Sequence, residues 1–334
     1  MRPPPTVISI GTFDGVHAGH AAIVRRAHEL AQAHNATGGV TVLSFDPHPL
    51  TRRAPERAPA RLTTFLQRTR LLTRAGATTV ERLEPTDDIL ALTPAAFLEW
   101  VIAKHNPVAF VEGHDFRFGK DRSGGLDTLR ALCQPRGIVV ETVPAVAAGL
   151  SDNTVVTASS SIARWLLERG RARDAWAVLA RPYRIEGAVV RGDRRGRTLG
   201  FPTANIDSPN LIPADGVYAT LATLPDGSTT PGALSVGTKP QFGPHARTAE
   251  VHLLGVEGEP DAPNLPGLPE YGWPICLDLV GWVREQMRFA TVEHMLEQIH
   301  RDCGRVSRIV DTVTTAPPPP TQPAATTHHH GTTP

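Results

Sequence analysis

Two histidines three residues apart, His17 and His20, close the turn-rich run Gly11-Thr12-Phe13-Asp14-Gly15-Val16-His17-Ala18-Gly19-His20. A β-rich stretch, Thr6–Ile10, precedes it and a helix-like stretch follows. A strand-to-helix turn of this kind aims backbone N–H groups and a helix dipole at a phosphate. Two imidazoles on that turn can both face one bound anion, and positioned donors stabilise charge that develops on phosphates during attack at phosphorus. Asp14 beside this loop either helps hold Mg²⁺ or fixes the turn. A second set lies in the other half of the chain. Thr203 and Asn205 stand two apart, so in an extended segment they face the same side. A hydroxyl and an amide oxygen there either suit a hard cation with phosphate ligands, Mg²⁺ on ATP, or bond their own backbone in a Pro-Thr turn.

The first run resembles the nucleotidyltransferase motif of the prokaryotic bifunctional FAD synthetases, the riboflavin kinase/FMN adenylyltransferases. Four more matches follow in that family's order: Ser44-Phe45-Asp46-Pro47-His48-Pro49, Arg61-Leu62-Thr63-Thr64, Gly113-His114-Asp115-Phe116-Arg117-Phe118-Gly119, and Ser159-Ser160-Ser161 with Arg164 and Gly170. The serines precede a helix, so one can cap it and others can donate to phosphate. Arg164, read as lying in that helix's first turn, reaches for the triphosphate with a planar fork of donors. Asp115 is read as shaping the adenine or ribose pocket, and the resemblance places His48 near the flavin. The sequence departs from the family pattern at Ser161, where threonine is usual, and at Ile162-Ala163, where the order is swapped.

Further along, Gly187–Gly192 leads through Gly196 and Arg197 into Leu199-Gly200-Phe201-Pro202-Thr203-Ala204-Asn205-Ile206, which contains the P-T-A-N motif of riboflavin kinases. Glycines around Arg197 let the chain approach phosphates closely. Pro213–Tyr218 follows in family order. Ala249–Leu254 resembles the family strand whose glutamate is the catalytic base, here Glu250. A kinase needs a carboxylate near the attacking hydroxyl to accept its proton. Tyr271-Gly272, Arg284 and Phe289 echo the family's C-terminal motifs, and Arg284 is a flavin-binding candidate. Gln241 replaces a family threonine, Gly255 an aspartate, and the loop Val256–Glu270 is extended. An FMN adenylyltransferase with an impaired, flavin-binding kinase domain is therefore the alternative to a fully bifunctional enzyme.

The elements that must position these groups fall into two patterns. Strand and helix alternate up to about residue 180, with strand-like runs at Gly39–Phe45, Val108–Val111 and Ile138–Val143 and a helix start at Thr93-Pro94. This predicts an open α/β sheet, the Rossmann-like nucleotidyltransferase domain, over residues 1–182. From Tyr183 short β-rich runs separated by Gly and Pro predict a small antiparallel β-barrel, the flavokinase domain, over 183–311, closed by a helix over Val292–Arg301. Residues 312–334 are Thr, Pro, Ala and His with little to bury and are expected to be disordered and dispensable. A fragment covering 1–182 is expected to carry adenylyl transfer by itself.

The chain has 334 residues, enough for two domains at about 150 each. Lys plus Arg (34) balances Asp plus Glu (33), which argues against a bulk nucleic-acid binder. Three scattered cysteines make neither a disulfide framework nor a zinc site, and no apolar run approaches a membrane span. The N-terminus reads as a strand entering a core, with no leader pattern, so a cytoplasmic enzyme is expected. H-x-G-H also occurs in aminoacyl-tRNA synthetases, but their lysine-rich second signature is missing from this sequence. A non-catalytic flavin sensor would not need the histidines, serines and Arg164. The resemblance implies ATP-dependent phosphorylation of riboflavin to FMN, then adenylylation of FMN to FAD with release of pyrophosphate, both with Mg²⁺.

Overall fold

The computed structural model describes residues 3–192, 196, 199–238, 246–255 and 268–315. Its first half runs β1 (Thr6–Gly11), α1 (Ala18–Ala33), β2 (Val40–Phe45), α2 (Leu50–Arg53), α3 (Phe65–Arg74), β3 (Thr79–Leu83), α4 (Asp87–Ala91), α5 (Pro94–His105), β4 (Pro107–Gly113), α6 (Leu126–Cys133) and β5 (Val139–Val143). The five strands form one parallel sheet in the order β3-β2-β1-β4-β5. Val7, Val42 and Val111 pack with α1 and α3 on one face, and Ile8, Ile10 and Phe110 pack with α5 and α6 on the other. Burial on both faces explains why these strands read as apolar runs without alternation. The strand order reverses at β1, so a crevice opens beyond the carboxyl ends of β1 and β4, where α/β sheets bind ligands. Helix starts follow local chemistry. The Thr93 hydroxyl caps α5 with Pro94 at its first position, and Thr64 and Gln67 form a reciprocal capping box on α3.

A short hairpin of β6 (Ala147–Gly149) and β7 (Val155–Thr157) leads into α7 (Ser160–Leu167) and α8 (Ala172–Leu179). Six antiparallel strands follow: β8 (Tyr183–Val190), β9 (Ala204–Asp207), β10 (Gly216–Thr223), β11 (Thr229–Gly237), β12 (Thr248–Leu253) and β13 (Pro274–Arg284). They close a barrel in the order β10-β11-β12-β9-β8-β13. Alternation is clean on β12, where Ala249 and Val251 are buried while Glu250 and His252 face outward. The short strand β9 begins within the Thr203–Asn205 motif and runs on to Asp207, where no strand was expected; its apolar content, Ala204 and Ile206, is too small to register as a run.

The closing helix α9 (Val292–Thr315) is longer than expected. Its second half buries Val306 and Val310 against Val217, Val280 and Val283 on the outside of the barrel. Residues 312–315 are thus part of that helix and not of a tail, because Val313 packs against the same cluster. The rest of the expected tail lies outside the described residues. The two halves share one continuous core. Leu62, Leu166, Leu167, Val178 and Leu179 pack with barrel-interior residues such as Tyr183, Leu234 and Leu277. Gly170 sits at φ +72° with its α-carbon turned to Trp282; a Cβ there would lie 2.5 Å from the indole ring.

Candidate active sites

The Gly11–His20 turn is held in an unusual backbone shape. Phe13, Gly15 and Val16 all have positive φ (48°, 79° and 39°). What enforces it is Asp14, only 5% exposed. One carboxylate oxygen accepts from the Thr63 amide (2.9 Å) and hydroxyl (2.9 Å), the other from the Leu62 amide (3.0 Å) and from Arg164. Arg68 lies 3.5 Å away. Burial pushes the Asp14 pKa up, but the Leu62 amide, Arg164, Arg68 and the Thr63 amide together hold it below the usual carboxylate value. Both oxygens of Asp14 are thus engaged in holding the turn to Leu62, Thr63 and Arg164.

Arg164 is correspondingly committed. It is the fifth residue of α7, beyond the first turn, and its guanidinium also donates to the Ala60 carbonyl at 2.6 Å. It is not among the residues that line the cavity described below. Arg181, which no sequence signal marked, grips the same turn from the other side, donating to the carbonyls of Gly15 (2.6 Å) and Val16 (2.9 Å).

In front of the loop is a cavity of about 530 Å³. Gly11, Phe13, His17, Gly19 and His20 form one wall, and Asp115, His48 and Ser159 also line it. The rings of His17 and His20 stack with centroids 3.6 Å apart, and Phe13 packs on His20 at 4.9 Å. Neither Nδ1 has a hydrogen-bond partner among the described residues. Burial lowers the His17 pKa to about 4; the negative charge of Asp115 opposes this and Arg181 adds to it. His20 is pushed well below the ordinary value by burial first, then by His17, Arg68 and Arg181. Both are therefore neutral at physiological pH, and each imidazole has one N–H to offer.

Ser159 caps α7 by accepting from the Ile162 amide at 3.2 Å and reaches the cavity. Ser160 donates to the Asp14 carbonyl at 2.7 Å and so supports the loop from behind, and Ser161 is exposed and outside the cavity. His48 accepts the Leu50 amide on Nδ1 at 3.1 Å. Glu112, missed in the sequence, also lines the cavity. It is 2% exposed, accepts the Ile10 amide at 2.9 Å, and burial raises its pKa well above the normal carboxyl value. A charged residue in the otherwise apolar run Pro107–Gly113 was the available signal.

The second constellation forms on the outer face of the barrel. Register pairs Glu250 on β12 directly with Asn205 on β9, and the Thr203 hydroxyl lies 3.3 Å from the Glu250 carboxylate. Gly192 gives the Asn205 amide its room: a Cβ would fall 1.9 Å from its nitrogen. The Gly196 carbonyl accepts the Phe201 amide at 2.8 Å, closing the turn that delivers Thr203. His252 donates from Nδ1 to the Pro202 carbonyl at 2.8 Å. Arg197 and Gln241 lie outside the described residues. Gly255 occupies a left-handed turn (φ 70°) after β12. Arg284, the flavin-binding candidate, pairs with Asp302 of α9 (2.8 Å and 2.9 Å) and so ties that helix to the barrel. Among the described residues no three His, Cys, Asp or Glu side chains cluster as a metal site, and no helix is long and apolar enough to cross a membrane.

Comparison with known proteins agrees with this division. The FAD synthetase family profile matches residues 1–158 and the riboflavin kinase profile residues 179–310. A bifunctional riboflavin kinase/FMN adenylyltransferase of Escherichia coli (strain K12) is 34% identical over 298 residues, covering 89% of this chain and 90% of its own. A protein of the same description from Bacillus subtilis (strain 168) is 29% identical over 303 residues, with the same coverage. A crystal structure described as a macrolide-efflux protein from Streptococcus pneumoniae superposes with a TM-score of 0.78 at 25% identity, over 92% of this chain and 94% of the other. With an α/β half and a barrel half each matched, in this order and over nearly the whole described chain, the protein belongs to the bifunctional riboflavin kinase/FMN adenylyltransferase family.

Proposed function

We propose that this chain phosphorylates riboflavin at the barrel and adenylylates the resulting FMN at the α/β cavity. The observation that carries the reading is the pair of neutral, desolvated histidines at the mouth of a strand-to-helix turn, in a chain whose second half pairs Glu250 with Asn205 and Thr203.

In adenylyl transfer a phosphate oxygen of FMN attacks the α-phosphorus of ATP, and the bond to the bridging oxygen of pyrophosphate breaks. The backbone amides at the start of α1 and the Ser159 hydroxyl at the start of α7 are the natural cradle for these phosphates. His17 and His20 donate N–H groups to the oxygens on which charge grows, and burial makes each donation stronger than it would be in water. Asp14, Arg164, Arg181 and Ser160 hold that turn in shape from behind. Asp115 and His48 face the same cavity and contact the nucleoside and flavin portions.

In the kinase step the riboflavin 5′-hydroxyl attacks the γ-phosphorus of ATP, ADP leaves, and Glu250 accepts the hydroxyl proton. The Thr203 hydroxyl, the Asn205 amide oxygen and the Glu250 carboxylate are hard oxygen donors. This set fits Mg²⁺ that takes its remaining ligands from ATP. Bound there, Mg²⁺ supplies charge neutralisation to the phosphates. Three free cysteines accord with a reducing compartment, and we assign both reactions to the cytoplasm. The test is purified protein with riboflavin, ATP and Mg²⁺, followed by chromatography. FMN should appear first and FAD after it. FAD formed from FMN but never from riboflavin would leave only adenylyl transfer standing.

A further inference from the structure

The segment Arg61–Thr64 is held from two sides. On one side Asp14 takes the Leu62 and Thr63 amides, and the Thr63 hydroxyl accepts the Gly15 amide at 3.0 Å, which fixes the loop bearing His17 and His20. On the other side is Asn210, a residue of the barrel domain on the connection between β9 and β10. Its amide nitrogen donates to the Leu62 carbonyl (3.0 Å) and to Gln67 Oε1 (2.8 Å). Its amide oxygen accepts the Glu186 amide of β8 at 3.0 Å, so all three contacts are at hydrogen-bonding distance. The next residue, Leu211, donates its amide to the Arg61 carbonyl at 2.6 Å. Asn210 is 4% exposed and Gln67 equally so. Gln67 in turn closes the α3 capping box and donates to the Arg184 carbonyl at 3.3 Å.

A continuous buried chain of hydrogen bonds thus runs from β8 through Asn210 and Leu62 to Asp14 and the phosphate loop. Buried polar groups in such a chain are costly to leave unpaired, so each link restrains the next. On the kinase side, Asn205 and Glu250 are paired by the barrel's own β9–β12 ladder. We propose that Asn210 is a positioning residue for adenylyl transfer, acting from the kinase domain on the phosphate loop of the other domain. This rests on the two-site reading above. It makes FMN adenylylation dependent on a docked barrel.

The experiment uses full-length Asn210→Ala, Gln67→Ala and the double variant, with Arg70→Ala as control. Arg70 pairs with Glu186 across the same boundary but is half-exposed and does not touch Arg61–Thr64. Asn210→Ala should lower kcat for FMN to FAD by roughly 10- to 100-fold, the size expected when reacting groups are slightly misplaced by a remote change. Riboflavin phosphorylation should stay at the parent rate. The double variant should be no slower than the worse single one, and Arg70→Ala should match the parent. Hydrogen exchange should quicken in residues 61–64 and 11–20 and not in the barrel. Exchange tests the brace even if the parent makes no FAD, an outcome that would count against the function and not against the brace. Equal slowing of both reactions with exchange raised throughout would overturn the proposal, as would a parental adenylyl-transfer rate with unchanged exchange. If Asn210→Ala does not fold, Asn210→Ser, too short to reach Leu62, takes its place under the same criteria.

Discussion

At neutral pH His17 and His20 carry no charge: burial penalises an imidazolium at both, and at His17 it outweighs the favourable charge of Asp115. His20→Ala removes one donor aimed at transition-state charge, and such a loss typically costs about 10²–10³ in rate. FAD formation from FMN should fall by that factor while riboflavin phosphorylation persists; equal rates in the variant and the parent would disprove the assignment. The lowered pKa of His17 also has a stability consequence. The unfolded chain takes up this proton at 6.5 and the folded chain only at about 4. As pH falls between these values the unfolded state is favoured, by ~3 kcal/mol once both are passed. His17→Gln removes that penalty. Urea unfolding of the two proteins should therefore diverge as pH drops from neutral to about 4, with the variant losing less stability, and parallel curves would contradict the burial argument. Glu250→Gln keeps the size of the side chain but removes its basicity, a loss of about 10²–10⁴ for a general base. The variant should fail on riboflavin yet still convert supplied FMN to FAD, since the FMN phosphate attacks already ionised. Normal riboflavin phosphorylation would move the base elsewhere.

Among the elements, α9 does more than close the barrel. Val306 and Val310 cover the outward valines of β10 and β13, and Asp302 neutralises Arg284. Ending the chain after Arg301, where the sequence placed the helix end, would strip this face. Two valine side chains alone are worth about 1.5–3 kcal/mol each when fully buried, and Arg284 would lose its carboxylate. The truncated protein should melt well below the parent and lose kinase activity first. An unchanged melting temperature would mean that the second half of α9 contributes nothing.

The molecule as a whole has one core where the sequence shows two domains. Leu166, Leu167, Val178 and Leu179 lie in the same buried cluster as the barrel interior. A fragment ending at residue 182 would expose them, which is a physical reason against the expectation that it works alone. Calorimetry of the full chain should give one transition whose van't Hoff and calorimetric enthalpies agree, the mark of a single cooperative unit. Two resolved transitions would show that the domains melt independently and that their shared surface is weak.

Much of this was legible locally. The apolar run of β1, the Thr93-Pro94 helix start and the alternation that turns Glu250 outward are set by side-chain periodicity and capping, which act over a few residues. The strand-to-helix form of the Gly11–His20 turn was legible for the same reason. What the sequence left open is which polar group meets which. Asp14 and Arg164 each read as a candidate for the triphosphate or its metal, yet they stand 150 residues apart and pair with each other. Arg284 and Asp302 do likewise across β13 and α9. Glu112 enters the cavity only because β4 lies beside β1, and Asn210 reaches the phosphate loop only because the barrel docks on α3 and its preceding strap. A buried charge or amide takes whatever partner the packing brings within hydrogen-bond distance, and that choice exists only once the elements have come together.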